Sequence, residues 1–251
     1  MDKTKELNNR SADQNSQLSS LLDHHLSLIS KFGPNWNTHT LLTMQRQSIS
    51  RILYYNMMYS KIVGVPGVIM EFGVHWGATL AQLIALRGIY EPFNHSRHIY
   101  GFDTFSGFSN TCPSNDGGFS SDGDYSVYDG YEHTLEKILE LHEANCPVSH
   151  IKKFHLVKGD ASKTTKDWVK NNPHAIVAMA IFDMDIYHPT KNALEAILPL
   201  LTKGSLLVFD ELNYNKFPGE TIALREVLST KNIKLHHYPH QPSCAWAVWG
   251  E

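Results

Sequence analysis

Acidic residues follow two apolar segments of the chain and are its clearest candidates for chemistry. Asp183 and Asp185 follow one apolar run, and Asp210 and Glu211 follow the next. Parallel strands carry functional residues at a shared carboxyl edge, so these carboxylates are predicted to converge on one cleft. Carboxylates that meet repel one another unless a cation or a proton lies between them, and hard oxygen ligands suit Mg²⁺ or Mn²⁺. The alternative is that these acids cap the following helices or bond loop amides.

A second candidate site is the segment 68–80, which reads VIMEFGVHWGATL. Its first residues are apolar without alternation, which predicts a buried parallel strand. Gly73 and Gly77 bracket a turn where the backbone can approach a ligand before a helix near Ala78. The spacing E-x-G-x-x-x-G departs from the dinucleotide pattern G-x-G-x-x-G and looks like the first motif of S-adenosylmethionine (SAM) methyltransferases.

Acids after the next two strands complete the predicted SAM site. Asp103 lies roughly 30 residues beyond the glycine turn, where a carboxylate can accept both ribose hydroxyls; the alternative is an aspartate that caps a loop. Asp160 is expected at the adenine amino group, with Ala161 offering its N–H, and Glu71 at the methionine amino group. The predicted cofactor-binding residues are Glu71, Phe72, Gly73, Gly77, Thr79, Asp103, Thr104, Phe105, Gly159, Asp160, Ala161 and Asp183.

A nicotinamide cofactor is the rival to SAM. The chain lacks G-x-G-x-x-G in this segment, and its Tyr-x-x-x-Lys match, Tyr187 to Lys191, contains Pro189 and begins before the predicted helix. We therefore interpret that match as accidental.

The acidic cleft indicates how an acceptor hydroxyl would be activated for methyl transfer. A divalent ion would bind two vicinal substrate oxygens and lower the pKa of one hydroxyl, and a nearby base would take its proton. Asp185 is the first candidate for this base and lies on the same face as Asp183 if the strand stays extended. His188 is the alternative base, because a neutral imidazole suits this work near pH 7; otherwise it is a helix cap or surface residue.

The elements that position these residues alternate between strand and helix from residue 67 onward. Predicted strands cover 67–72, 98–102, 153–157, 175–182, 205–209, 233–237 and 245–248, with helices at 78–88, 131–145, 162–171, 190–201 and 219–229. This pattern predicts an α/β class I methyltransferase fold, Rossmann-like and doubly wound, with seven mostly parallel strands and an antiparallel last strand. The loop 104–130 is rich in Gly, Ser, Asp and aromatic residues, which favours a lid over a ligand.

The N-terminal part is predicted to be separate from this α/β domain. Residues 1–16 are polar and expected to be disordered, and 17–64 are expected to form helices, at about 18–29 and 40–63, that cap the site or mediate oligomerisation. The α/β domain is placed at 65–251.

Composition restricts the possible partners and compartment. The net charge of -3 gives no basic surface for nucleic acid, and the polar N-terminus is not a signal peptide. No apolar run approaches the length of a membrane span. The cysteines at 112, 146 and 244 form no metal-binding spacing, so we expect reduced thiols in a cytoplasmic protein.

The motifs together resemble the macrocin O-methyltransferase-like family of metal-dependent sugar O-methyltransferases. The matching segments are EFGVHWG at 71–77, GFDTFSGF at 101–108, DMDIYHPT at 183–190, FDEL at 209–212 and PGE at 218–220. The resemblance implies SAM as methyl donor, Mg²⁺ held by Asp183, Asp210 and Glu211, Asp185 as general base, and a homo-oligomer formed through the N-terminal helices. The Asp-Glu pair departs from the Asp-Asp of many relatives, and if Asp185 were the ligand, His188 would become the base.

The sequence thus predicts SAM- and metal-dependent methylation of a sugar hydroxyl, on a nucleotide-linked sugar, a surface-polysaccharide precursor or a natural-product glycoside. One rival is a catechol-type O-methyltransferase with the same metal chemistry. The other is a non-catalytic SAM-binding protein. We expect no nucleic-acid or membrane partner.

Overall fold

The computed structural model describes residues 10–251, which divide into one unit ending at Leu53 and a second unit, Tyr54–Glu251. The disorder predicted for residues 1–9 lies outside the described residues. The boundary between the units falls at 53/54, whereas the sequence placed it at 64/65. Among residues 10–251, no helix is both long and apolar enough to span a bilayer.

The first unit is helical. Helix α1, Ala12–Ile29, begins inside the stretch predicted to be disordered, because Ser11 and Gln14 form a reciprocal capping box that satisfies amides at the helix start. Short helical turns follow at Gly33–Asn35, Trp36–His39 and Thr40–Thr43. Helix α2, Arg46–Ile62, begins in the first unit and ends in the second; it is shorter than predicted because Met44 is extended and separates it from the preceding turn.

The second unit is built on a seven-stranded sheet of order β3-β2-β1-β4-β5-β7-β6. The strands are β1 Val68–Phe72, β2 Ile99–Asp103, β3 Phe154–Lys158, β4 Val177–Phe182, β5 Leu201–Phe209, β6 Leu235–Tyr238 and β7 Gln241–Val248. Strands β1 to β5 pair in parallel, and β7 is antiparallel to both β5 and β6. This confirms the predicted mostly parallel sheet with an antiparallel last strand.

Helices cover the sheet between successive strands. They are α3 Ala78–Tyr90, α4 Tyr131–Ala144, α5 Ala161–Asn171, α6 Tyr187–Ile197 and α7 Gly219–Leu228. Helix α6 begins three residues earlier than predicted, because Pro189 lies in its first turn, where a missing N–H breaks no helical hydrogen bond. The same helix ends earlier, and β5 begins at Leu201 after a single turn of 3-10 helix, Leu198–Leu200.

Buried side chains form one cluster on each face of the sheet. Along β1, Ile69 belongs to one cluster, whereas Met70 and Phe72 belong to the other. Because neighbouring residues of a strand face opposite sides, a strand buried on both faces carries apolar residues in succession. The apolar runs of β1 and β4 in the sequence have this origin.

Candidate active site

Four phenylalanines align the carboxyl ends of the central strands. Phe102, Phe72, Phe182 and Phe209 occupy paired positions on β2, β1, β4 and β5. Their rings stack in sequence, with centroids 4.9, 5.2 and 5.0 Å apart. We call these four residues the phenylalanine row.

The residue after each phenylalanine stands in the next row of the sheet, at its carboxyl edge. These residues are Asp103, Gly73, Asp183 and Asp210. Backbone bonds continue the ladder one step past the strands: N–H groups of Gly73, Asp183 and Asp210 donate to the carbonyls of Phe102, Phe72 and Phe182 at 2.9, 2.8 and 3.0 Å. The structure therefore brings the glycine turn, the predicted ribose acid and two of the predicted metal ligands to one edge.

Gly73 is required by the close approach of the β1 and β4 loops. Its φ is +94°, and a Cβ built on it would lie 1.9 Å from the carbonyl oxygen of Asp183. Any side chain would push the acidic loop away, so glycine at this position serves packing between two loops.

Asp103 binds the backbone of the glycine turn. Its Oδ2 accepts the N–H groups of Val74 and His75 at 2.7 and 2.8 Å, and its Oδ1 accepts that of Phe105 at 2.6 Å. Asp103 therefore does cap a loop, as the alternative interpretation of this residue predicted. Because a carboxylate oxygen can accept two hydrogen bonds, Oδ1 retains one acceptor position toward a ligand hydroxyl.

Other predicted cofactor residues are held at the same edge by local bonds. The Gly159 N–H donates to the Asp103 carbonyl at 2.8 Å, which joins the β3 loop to the β2 loop. Asp160 caps α5 by accepting the Ser162 N–H at 2.9 Å, and Thr104 donates its hydroxyl to the Gly107 carbonyl at 2.7 Å.

Several members of the predicted cofactor set are buried. Glu71 is 1% exposed on β1, and the Phe72 ring lies inside the phenylalanine row, so only the main chain of Phe72 is available to a ligand. Gly77 starts α3 with a φ of +78°. The remaining members, Thr79, Phe105 and Ala161, are buried around the turn and loops.

Asp185 does not continue the β4 strand. The strand ends at Phe182, Asp185 has a left-handed φ of +61°, and the Ile186 N–H donates to the Met184 carbonyl at 2.6 Å. The prediction that Asp183 and Asp185 share one face required an extended strand through Asp185. The chain instead turns sharply toward α6 at this residue, so the two side chains do not lie on one strand face. Asp185 lies partly buried in this turn.

Glu220, which was not predicted as a site residue, joins the two acidic loops. It is fully buried in the first turn of α7, and its oxygens accept the N–H groups of Met184 and Glu211 at 3.2 and 3.0 Å. Burial, followed by the negative charge of Asp185, raises the pKa of this carboxyl well above its usual range. The sequence offered one signal, the PGE segment, but nothing in it indicated burial.

The oxygen donors suit a hard cation, but they are not assembled around a single point. Within the described part of the chain, no three His, Cys, Asp or Glu side chains are gathered closely enough to hold a metal ion. Asp210 Oδ1 accepts the thiol of Cys244 at 3.0 Å. A cation held by Asp183, Asp210 and Glu211 thus fits the donor chemistry and requires side-chain rotation.

His188 is exposed on the first turn of α6, and its ring contacts that of Tyr187. The Tyr-x-x-x-Lys match has a structural explanation: the Tyr187 hydroxyl donates to Glu226 at 2.6 Å, and Lys191 contacts the same carboxylate at 2.7 Å. This cluster joins α6 to α7. Both residues of the rival dehydrogenase dyad are therefore engaged in helix packing.

The loop 104–130 is tied to the site by a buried aspartate that was also not predicted. Asp116, in the short helix Pro113–Asp116, is fully buried and accepts the N–H groups of Tyr187 and Cys112, both at 2.6 Å. A Cβ on Gly219 would meet its Oδ1 at 2.6 Å. The loop is therefore anchored where α6 and α7 begin.

This sheet order, with a glycine turn after β1 and acids at the carboxyl ends of β2, β4 and β5, defines a class I methyltransferase. A family model described as macrocin-O-methyltransferase (TylF) matches residues 33–237. The chain belongs to the macrocin O-methyltransferase family, and it is a methyltransferase.

Solved structures agree with this assignment. The crystal structure of CalS11, calicheamicin methyltransferase, is 36% identical, with a TM-score of 0.90 over 97% of this chain and 95% of that one. An apo structure of CalS11, described as TDP-rhamnose 3'-O-methyltransferase in calicheamicin biosynthesis, is 35% identical, with a TM-score of 0.83 over 97% of both chains. The O-methyltransferase NovP, 16% identical with a TM-score of 0.57 over 80% of this chain and 79% of that one, shows the fold alone. A comparison with curated protein sequences gave no match.

Proposed function

We propose that this protein transfers the methyl group of SAM to a hydroxyl of a deoxysugar carried on a nucleoside diphosphate. The observation that carries the proposal is the placement of Asp183 beside Gly73, with Asp210 one strand further along the same edge of the sheet, in a chain 35% identical to a TDP-rhamnose 3'-O-methyltransferase. A methyl donor bound at the turn and an acceptor bound at the acids would then be neighbours. A finished glycoside or a surface-polysaccharide precursor is the alternative form of the acceptor.

The chain's own residues supply orientation and proton transfer in this proposal. Glu71, the Gly73–Gly77 turn, Asp103 and Asp160 would hold SAM, which supplies an electrophilic methyl group. Asp183 would stand between donor and acceptor. Asp185 would take the proton of the acceptor hydroxyl, because it is partly buried in the turn after β4, whereas the exposed His188 is the second choice.

Mg²⁺, or Mn²⁺, is part of the proposal through Asp183, Asp210 and Glu211. A divalent cation would supply Lewis acidity and lower the pKa of the acceptor hydroxyl. Support comes from the concentration of carboxylates, since Asp185, Asp183 and Asp210 all raise the pKa of Glu220, and a cation would offset their repulsion.

A homo-oligomer formed through the N-terminal helices is also proposed. Helix α1 has no buried side chain, and its apolar residues Leu22 and Leu26 are exposed. Apolar residues repeated on one helix face favour association with another surface.

The test is methyl transfer from labelled SAM to a panel of nucleotide sugars, headed by TDP-rhamnose, with catechol as comparator. Parallel reactions contain Mg²⁺ or EDTA. We expect metal-dependent transfer to a nucleotide sugar and none to catechol. Transfer to catechol alone would favour the small-molecule alternative, and SAM binding without transfer to any nucleotide sugar or to catechol would favour a finished glycan or another acceptor.

A further inference from the structure

Tyr125 occupies a central position above the candidate site. Its ring lies 5.9 Å from that of His75 in the glycine turn, 5.1 Å from Phe108 and 6.3 Å from Phe217 after β5. One side chain thus contacts the loops that follow β1, β2 and β5. Yet 46% of Tyr125 remains exposed, which leaves ring surface available to a ligand.

The backbone around Tyr125 is firmly placed. The Phe108 N–H donates to the Asp124 carbonyl and the Gly123 N–H to the Phe108 carbonyl, both at 2.9 Å. A Cβ on Gly107 would lie 2.4 Å from the Asp124 carbonyl oxygen, so the two halves of the loop are in close contact. Together with the buried Asp116 anchor, these contacts keep Tyr125 at the cleft without a ligand.

Tyr125 itself is strained. Its φ is +61°, in the left-handed region that glycine adopts without cost and that a bulky residue rarely adopts. Such strain persists where the surrounding structure fixes it and is concentrated at ligand-binding positions. The loop contacts described above hold the Tyr125 backbone in this conformation, which fixes the direction of its ring.

The acids also act on the Tyr125 phenol through their charge. Burial, and then the negative charges of Asp185 and Glu211, raise the pKa of Tyr125 to about 12. The hydroxyl therefore stays protonated at neutral pH and can donate a hydrogen bond.

We propose that Tyr125 is a specificity-determining residue that forms an aromatic wall for the sugar ring of the acceptor and donates its hydroxyl to a sugar oxygen. This inference rests on the proposed function. The faces of pyranose rings carry C–H groups that pack on aromatic rings, and aromatic contacts contribute beyond the area they bury. The nucleoside diphosphate would lie outside this contact.

Tyr128 provides a matched control. It lies in the same loop and is similarly exposed, but its ring contacts Trp76 and Tyr131 and its hydroxyl donates to Thr134. Removing it deletes the same type of side chain, whose ring and hydroxyl contacts are with Trp76, Tyr131 and Thr134 instead of His75, Phe108 and Phe217.

The experiment measures calorimetric affinities for TDP-rhamnose and for TDP alone, with S-adenosylhomocysteine present, in wild type, Tyr125→Phe, Tyr125→Ala and Tyr128→Ala. We expect Tyr125→Ala to weaken TDP-rhamnose binding about tenfold or more and Tyr125→Phe a few-fold, as for a lost aromatic contact and a lost hydrogen bond. The affinity of the Tyr125 variants for TDP alone should differ from wild type by less than about twofold, and so should both affinities of Tyr128→Ala.

Unchanged TDP-rhamnose affinity in both Tyr125 variants would overturn the inference, and so would an equal loss for TDP, which would assign the contact to the nucleotide. Tyr125→Phe keeps the test decisive if Tyr125→Ala folds poorly. A wild-type protein that neither binds nor methylates any nucleotide sugar would instead contradict the proposed function, and the inference would fail with it.

Discussion

Phe182 stacks on Phe72 with ring centroids 5.2 Å apart, and the residue after Phe182 donates its N–H to the Phe72 carbonyl at 2.8 Å. The core and the candidate site are therefore continuous: the stacked rings fix the level at which β1 and β4 end. Gly73 and Asp183 face each other because the phenylalanines beneath them are in register.

Replacing Phe182 by alanine should therefore weaken both the fold and the site. The ring is fully buried between Phe72 and Phe209, so we expect the free energy of unfolding to fall by about 3–5 kcal/mol. Urea unfolding measures this change. Phe93→Ala, at a residue that is 80% exposed, is the control and should change stability by about 0.5 kcal/mol or less. Similar free energies of unfolding for the two variants would show that the phenylalanine row does not stabilise the fold.

Gly73→Ala should displace the acidic loop. The added Cβ meets the Asp183 carbonyl oxygen, and alanine is strained at a φ of +94°. We expect a lower melting temperature and weaker binding of S-adenosylhomocysteine, measured by calorimetry. Gly64→Ala is the control, because nothing lies within 4 Å of a Cβ there. Wild-type affinity in Gly73→Ala would show that the two loops separate without cost.

Glu220→Gln should uncouple the acidic loops. Both carboxylate oxygens accept backbone N–H groups, whereas an amide has one oxygen, so its NH₂ would face the N–H of Met184 or Glu211. An unsatisfied buried donor costs about 1–3 kcal/mol. We expect turnover to fall about a hundredfold while S-adenosylhomocysteine affinity changes little. Glu226→Gln, which changes another carboxylate of α7 whose contacts are the side chains of Tyr187 and Lys191, is the control. Full activity in Glu220→Gln would show that Glu220 does not position the two acidic loops.

Part of this arrangement was predictable from the sequence, and part was not. The apolar runs before Asp183 and Asp210 are long enough to identify β4 and β5. Because the carboxyl ends of parallel strands lie at one edge of a sheet, the sequence also predicts that these two acids lie at that edge. The turn at Asp185, the burial of Glu220 and the anchor at Asp116 depend on contacts between distant segments, which local patterns do not encode. The early start of α1 did have a local signal, since Ser11 and Gln14 have capping-box spacing.

Acidification should destabilise the protein through a histidine pair on β2 and β3. His98 Nδ1 and His155 Nε2 lie 2.9 Å apart, and burial followed by the charge of His98 lowers the pKa of His155 to about 4. Because the unfolded chain binds a proton near pH 6.5 and the folded chain does not, stability is present above that pH and is lost as pH falls toward about 4.

The measurement is the melting temperature of wild type and His155→Gln between pH 7 and pH 5, at constant ionic strength. The glutamine can keep a hydrogen bond to His98 but does not titrate, so its profile should be flatter. Lys152 and Glu136 also influence the pKa of His155, and both remain in the variant. His174→Gln, at an exposed position, is the control. Parallel profiles for wild type and His155→Gln would exclude this pair as a source of acid sensitivity.

The most direct test of the central claim compares Asp183→Asn and Asp210→Asn with wild type, measuring methyl transfer to the accepted nucleotide sugar and S-adenosylhomocysteine affinity on the same preparations. The proposed function predicts that each variant loses turnover by about a thousandfold or more while the affinity stays within a few-fold, because the acids act on the acceptor and the glycine turn remains in place. Normal turnover in either variant would contradict the assignment of these carboxylates to the chemistry.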